Sequence, residues 1–177
     1  FDPQTHTARG IKFETVVQGL QRALTDGARQ LNQSSKLSMC FLRQLSASDA
    51  LKNRREALPF RHTIIGVGLD SSELGFPPEK IRTVFYKARQ EGFFTLANDS
   101  EEGPAEYIWQ ALKVLKASRI DHGIRCGEDA GLVIYLVKKQ VPLTGCPLSN
   151  VELGGFDHLR RHNLHQLLDL GVCVPVY

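Results

Sequence analysis

The chain has 177 residues, of which 42% are apolar and 23% are charged, a composition typical of a single globular domain. Its net charge of +3 is small and its basic residues are scattered, so the composition argues against a nucleic-acid-binding protein. The absence of an apolar run long enough to span a bilayer argues against a membrane protein, and the four separated cysteines indicate a cytoplasmic protein with reduced thiols.

The first half of the chain predicts a helix followed by alternating strands and helices. The sequence begins with Phe1 rather than Met, so we expect a fragment or a processed chain. Short apolar runs that end in polar residues predict strands, and apolar residues at helical spacing predict helices. The predicted elements are a helix over 13–31, a strand over 37–42, a helix over 46–58, a strand over 64–69 and a helix that begins at Pro77 and Pro78.

The second half of the chain continues the same alternation. An apolar run ends near residue 97, polar residues follow, and Gly103-Pro104 then begins a helical pattern. The remaining predicted elements are a strand over 119–123, a helix over 129–139, a strand over 141–144, a helix over 159–170 and a strand over 172–176.

This alternation is typical of βαβ units and predicts the α/β class with a parallel sheet. A closed (β/α)8 barrel needs about 250 residues, so we expect residues 1–177 to form one incomplete (β/α)8 TIM barrel domain with about six of the eight strands. An open, doubly wound sheet is the alternative, although no glycine-rich phosphate loop follows a predicted strand. Exposed strand edges in an incomplete barrel predict self-association.

Two ionisable side chains follow neighbouring predicted strands. Glu101 follows the third strand and His122 ends the fourth, so a shared barrel mouth would bring a carboxylate and an imidazole together. Such a pair suits proton transfer. Glu101 can equally be a charge in the first turn of a helix, and His122 a packed core residue.

Two further polar tips carry hydroxyls, amides and carboxylates, which can satisfy the ring nitrogens and amino groups of a polar heterocycle. Serine and aspartate are also common in turns, so a purely structural role is the alternative. The candidate binding residues are Asp70, Ser71, Ser72 and Glu73 after the second strand, and Ser149 and Asn150 after the fifth.

Three histidines near the end of the chain share one face of the predicted last helix. His158, His162 and His165 have i, i+4 and i+7 spacing, and two histidines at i and i+4 can hold zinc. This helix is expected on the outside of the sheet, away from the strand tips. The histidine-rich face is therefore interpreted as solvent-exposed rather than as a metal site.

Taken together, the strand tips resemble those of the adenosine/adenine deaminase family, and most of all those of its fungal and bacterial adenine deaminases. The resemblance covers essentially the whole chain, and several motifs agree in both sequence and separation. They lie at residues 1–7, 39–43, 68–73 with Pro77 and Pro78, 101–104 with 107–109, 119–123 and 146–150.

The resemblance implies a zinc-dependent amidohydrolase barrel that converts adenine to hypoxanthine and ammonia. In this family a glutamate moves protons between water and the purine ring, and a histidine steadies the metal-bound hydroxide. By position, Glu101 resembles that glutamate and His122 resembles that histidine. The tip at Ser71, Ser72 and Glu73 stands where adenosine deaminases have glycine, which implies a free purine base as partner.

The resemblance also implies that the zinc ligands are missing. The family's fifth strand normally ends His-Ala-Gly-Glu, whereas this chain has Asn98-Asp99-Ser100-Glu101, and an amide oxygen is a poor substitute for imidazole at zinc. The other ligands would lie before Phe1 and after Tyr177. We therefore expect no metal ligands and no tightly bound zinc in this chain, and no activity from it alone. The alternative is a non-catalytic relative that acts as a weak purine-binding or interaction protein.

Overall fold

A computed structural model describes residues 1–176, and its centre is a five-stranded parallel sheet. The strands lie side by side in chain order. The strands are parallel because the segment after each strand returns the chain to the same end of the sheet. The predicted α/β class with a parallel sheet is thus confirmed. The strands are β1 (Leu37–Leu42), β2 (Ile64–Asp70), β3 (Phe94–Asp99), β4 (Arg119–His122) and β5 (Leu143–Thr144).

The helices connect the strands, and several begin at residues that favour helix initiation. Ser46 and Asp49 form a capping box at the start of one helix, and the Asp129 side chain accepts the Leu132 N–H at the start of another. In the described part of the chain, no helix is both long and apolar enough to cross a bilayer. The helices are α1 (Gln4–Thr7), α2 (Phe13–Leu31), α3 (Ala47–Ala57), α4 (Arg82–Gln90), α5 (Ala105–Gln110), α6 (Ala130–Lys139), α7 (Pro147–Glu152) and α8 (Leu164–Asp169).

The register of the strands places their polar ends at one edge of the sheet. Leu42 pairs with Asp70, and Asp99 pairs with His122. Because the strands are parallel, their carboxyl ends meet at the same edge. Glu101, two residues beyond Asp99, therefore lies next to the end of β4.

Two predicted elements near the end of the chain differ in the structure. The single helix predicted over 159–170 is wrong: a 3-10 turn (Leu159–Arg161) is followed by an extended residue at His162, and α8 begins only at Leu164. The strand predicted over 172–176 forms one isolated bridge, between Gly145 and Val176, rather than a sixth strand of the sheet. Polar contacts of His162 and Asn163 replace the helical hydrogen bonds here.

Both outer strands of the sheet have partial cover from the ends of the chain. The Phe1 amino group donates to the Ser38 oxygen at 3.0 Å, and Cys40 N–H donates to the Phe1 oxygen at 2.8 Å. On the other side of the sheet, the Leu143 N–H donates to the Cys173 backbone oxygen at 2.9 Å. The edges of β1 and β5 are therefore less exposed than the alternation of strands and helices predicted.

Candidate active site

Three strand tips at the polar edge have a left-handed backbone. Ser71, Ser100 and His122 have φ angles of 80°, 62° and 64°, and they follow or end β2, β3 and β4. Residues other than glycine rarely adopt this backbone conformation, and those that do are concentrated at functional sites. Their repetition at three neighbouring strand ends marks this edge as the candidate site.

The carboxylate of Glu101 and the imidazole of His122 lie together at this edge. Glu101 Oε1 is 3.2 Å from His122 Nδ1, and the two side chains are only 9% and 12% exposed. Ser149 donates its hydroxyl proton to Glu101 Oε1 at 3.1 Å. Asn150, which is completely buried, places its amide nitrogen 2.9 Å from both Glu101 Oε1 and His122 Nδ1. The structure thus brings together four of the residues that the sequence singled out.

This geometry suits the movement of a proton between the two side chains. With a neutral imidazole, the two hydrogens of the Asn150 amide bind Glu101 Oε1 and His122 Nδ1, one each. If His122 gains a proton at Nδ1, the 3.2 Å contact to Glu101 becomes an ion pair with a charge-assisted hydrogen bond. Low exposure strengthens these interactions because little water screens them.

Glu73, predicted to bind substrate, has a structural role in the loop that carries Glu101. Its carboxylate is 2% exposed and accepts three backbone N–H groups, from Ser100 at 2.7 Å, Glu101 at 3.1 Å and Gly103 at 2.8 Å. A carboxylate engaged in this way holds the backbone of the loop. The Glu73 side chain is therefore directed at the protein rather than at the open edge of the site.

Asp70, at the tip after β2, lies near Asn98 rather than near the Glu101 pair. Asp70 Oδ1 accepts the Ser71 N–H at 2.7 Å and lies 3.5 Å from the amide nitrogen of Asn98. Ser71 is half-buried and Ser72 is exposed. These residues share the polar edge with Glu101, so their predicted contact with a ligand stays a prediction.

Sequence reasoning missed a buried ion pair beneath the site. Arg43, which follows β1, is 1% exposed, and its Nη2 lies 2.7 Å from Oδ1 of the fully buried Asp99. The same guanidinium donates to the backbone oxygens of Asn98 and Phe76. Burial raises the pKa of Asp99 to about 7, although Arg43 opposes this rise. The sequence signal for Arg43 was its position as a charged residue directly after the apolar strand β1, at the edge where the site lies.

Sequence reasoning also misplaced His162, which reaches the site. Its Nε2 lies 3.1 Å from Asn150 Oδ1, whereas the prediction placed it on an outer helix. His158 and His165 are exposed, and His165 pairs with Asp169 instead. The signal was the Gly154-Gly155 pair, because two glycines after a helix allow the chain to turn back.

A cavity of about 660 Å³ opens beside Glu101. Loops that follow β3, β4 and β5 line it, and Ile124, Phe156 and Asn163 contribute apolar and amide surface next to the Glu101 carboxylate. Small-molecule sites in proteins typically have volumes of about 300–1,000 Å³. The cavity is therefore large enough for a flat heterocycle.

The residues present do not by themselves fit a catalytic zinc ion. Across residues 1–176, no group of three or more His, Cys, Asp or Glu side chains could hold a metal ion. Asn98, at the end of β3, directs its amide nitrogen towards Asp70, and an amide is a weak zinc ligand.

Solved structures superpose closely on this sheet and its helices. An adenine deaminase from Arthrobacter aurescens superposes with a TM-score of 0.96 at 46% sequence identity, over 99% of this chain and 54% of that chain. An amidohydrolase from Burkhoderia ambifaria with bound Zn superposes with a TM-score of 0.91 at 22% identity, over 99% and 50% of the two chains, a likeness of fold. The class is thus that of the α/β barrels, and the predicted incomplete (β/α)8 barrel is confirmed.

The sequence model of the adenosine deaminase family matches residues 1–176, and the chain belongs to that family. It is similar to adenine deaminases from Hahella chejuensis and Acinetobacter baylyi, with 54% and 53% identity over 176 residues and 99% of this chain. The chain spans about half the length of these relatives, 53% in both cases. The resemblance drawn from the strand tips is confirmed.

Proposed function

We propose that this chain is an adenine deaminase-like protein that binds a purine base at its polar strand tips. The observation that carries the proposal is the Glu101–His122 pair, held 3.2 Å apart and bridged by the buried amide of Asn150. In the family reaction, adenine is hydrolysed to hypoxanthine and ammonia. Glu101 would move the proton at the ring, and His122 would hold the attacking oxygen through a hydrogen bond.

A free base is the favoured substrate class. The relatives from Hahella chejuensis and Acinetobacter baylyi, at 54% and 53% identity, are adenine deaminases. Asp70, Ser71 and Ser72 share the polar edge with Glu101, and their carboxylate and hydroxyls would bind the exocyclic amine and ring nitrogens of a purine. The cavity beside Glu101 has room for such a ring system.

The proposal includes a lack of turnover by this chain alone. Without a metal, water keeps a pKa near 15.7, so a nucleophile for hydrolysis is scarce at neutral pH. Residues 1–176 hold no metal-ligating group of three or more suitable side chains. Glu101 and His122 would then bind and orient the base without hydrolysing it.

The test compares zinc content, turnover and base binding on the purified chain. Metal analysis, adenine absorbance and ammonia release are measured for the unmodified chain and for Asn98→His. Amide NMR shifts then follow titration with adenine and, separately, adenosine.

We expect zinc well below one per chain, no ammonia, and adenine-dependent shifts at Ser149 and Asn150 that Glu101→Gln weakens. Glu106, which is exposed and does not line the cavity, provides the matched control, since Glu106→Gln should leave these shifts unchanged.

Two outcomes would contradict the proposal. Zinc near one per chain with adenine turnover would show that the chain is an active enzyme. An absence of shifts at the site with adenine at millimolar concentration would remove the purine-binding role.

We infer a cytoplasmic location from the state of the cysteines. All four, Cys40, Cys126, Cys146 and Cys173, are free. Burial raises the pKa of Cys40 and of Cys126 to about 12, so neither thiol is reactive at neutral pH. Disulfides form mainly in oxidising compartments, so free thiols agree with the cytoplasm. Cell fractionation of the full-length protein would check this location, and recovery in an oxidising compartment would contradict it.

A further inference from the structure

The loop after α7 returns the chain to the amide that bridges Glu101 and His122. The backbone oxygen of Asn150 accepts the Gly155 N–H at 2.8 Å and the Phe156 N–H at 3.3 Å. The Phe156 ring lies 4.5 Å from the ring of His162, centroid to centroid. This tilted ring contact packs against the imidazole, whose Nε2 lies 3.1 Å from Asn150 Oδ1.

The backbone determines which ring nitrogen of His162 carries the proton. Leu164 donates its N–H to His162 Nδ1 at 3.0 Å. A ring nitrogen that accepts a backbone N–H has no proton of its own, so the proton of the neutral imidazole lies on Nε2. Burial lowers the pKa of His162, which favours this neutral form.

The Nε2 proton of His162 in turn determines the orientation of the Asn150 amide. Only the amide oxygen can accept that proton, so the NH2 group must face Glu101 and His122. The flipped amide would place NH2 protons against the His162 proton and its oxygen against the Glu101 carboxylate. Both contacts would be repulsive inside a fully buried position.

We propose that His162 is a positioning residue that orients the Asn150 amide and so supplies two N–H donors to Glu101 and His122. His162 acts through Asn150. The hydrogen bonds run from Leu164 N–H to His162, from His162 to Asn150, and from Asn150 to the pair. The description of Glu101 and His122 as the reacting pair rests on the proposed function, whereas the orientation of Asn150 does not.

The first test uses the unmodified chain and needs no substrate. Two-bond proton–nitrogen NMR correlations distinguish the two imidazole tautomers and the imidazolium. We expect His162 to be the neutral tautomer with its proton on Nε2 at pH 7. A proton on Nδ1, or an imidazolium at that pH, would overturn the proposal.

The second test follows the side-chain amide protons of Asn150 in variants. His162→Leu fills a similar volume but has no N–H donor. In this variant the protection of the Asn150 amide protons from solvent exchange should fall about tenfold, the factor expected for one lost hydrogen bond. His162→Gln, which keeps an N–H donor, should restore most of it. His165→Leu is the matched control, because His165 is exposed three residues further on, and it should change nothing.

Unchanged protection in a folded His162→Leu chain would also overturn the proposal. If that variant does not fold, the tautomer in the unmodified chain still decides. Failure of the purine-binding experiment would leave both readouts as expected here. The two proposals therefore fail separately.

Discussion

At the scale of single residues, the site depends on polar side chains that the interior of the protein holds in one arrangement. Asn150 bridges Glu101 and His122, and the carboxylate of Glu73 binds the backbone that carries Glu101. Each of these groups is buried or half-buried, so the loss of one partner leaves another without a hydrogen bond. The same principle applies to Arg43 and Asp99 below the site.

Asp99 gives the stability of the protein a specific dependence on pH. Its pKa is raised to about 7 because burial penalises the charged carboxylate, whereas an unfolded aspartate titrates near 3.8. Between these values the folded chain holds a proton that the unfolded chain releases, so the stability from this carboxyl falls as pH rises. From pH 4 to pH 7 we expect the unfolding free energy of the unmodified chain to fall by a few kcal/mol relative to Asp99→Asn.

Denaturant titrations at intervals across this range measure the effect. The exposed Asp26 of α2 supplies the control, since Asp26→Asn should run parallel to the unmodified chain. Parallel profiles for Asp99→Asn as well would show that the carboxyl is already ionised in the folded protein.

At the scale of elements, the loop between β3 and α5 is built around a glycine. A Cβ added at Gly103 would lie 2.6 Å from Glu73 Oε2 and 2.7 Å from a ring carbon of Tyr107. Only a residue without a side chain lets the Glu73 carboxylate reach the three N–H groups of the loop. The shape of this loop, and with it the position of Glu101, therefore depends on Gly103.

Two glycine substitutions should have opposite effects on stability. Gly103→Ala should destabilise the chain by about 1–3 kcal/mol, because the methyl group displaces Glu73 or Tyr107. Gly27→Ala, at a half-buried position of α2 with nothing within 4 Å of the added carbon, should stabilise it by about 0.4–1 kcal/mol. Urea unfolding of both variants measures these changes, and equal effects would contradict the proposed role of the loop.

Local patterns predicted the elements well, and tertiary contacts explain where they did not. β1 has the predicted bounds, because a short apolar run between polar residues has no competing structure. The prediction of the last helix failed because His162 contacts Asn150 and Asn163 donates to the Ile124 oxygen. Both contacts join residues that are far apart in the chain. The juxtaposition of Glu101 and His122 could be predicted from parallel strand order, whereas the role of Glu73 depends on the path of a loop.

At the scale of the whole molecule, one apolar core connects the elements from α2 to the end of the described chain. Phe13 and Val17 of α2 belong to the same buried cluster as Val172 and Val174. We therefore propose that residues 1–177 form a single domain, of which Tyr177 lies outside the described residues. A core that joins both ends of the chain implies one cooperative unfolding transition.

Association in solution should follow from the sheet edges. Phe1 and the segment near Cys173 cover β1 and β5 only in part, and strand edges with free backbone groups pair with other chains. We expect sedimentation velocity to show association that increases with concentration in the micromolar range. A single monomer species at all concentrations would contradict this expectation and would mean that the chain ends are sufficient cover.

The strictly sequential order of the sheet also bears on how the polypeptide matures on the ribosome. Within residues 1–176, each strand from β2 to β5 pairs with the strand synthesised just before it. Domains generally acquire structure from the N-terminal side as synthesis proceeds, at about 5–20 residues per second. The sheet can therefore grow by one strand at a time during translation. His162, which we propose orients the Asn150 amide, is synthesised after Glu101 and His122.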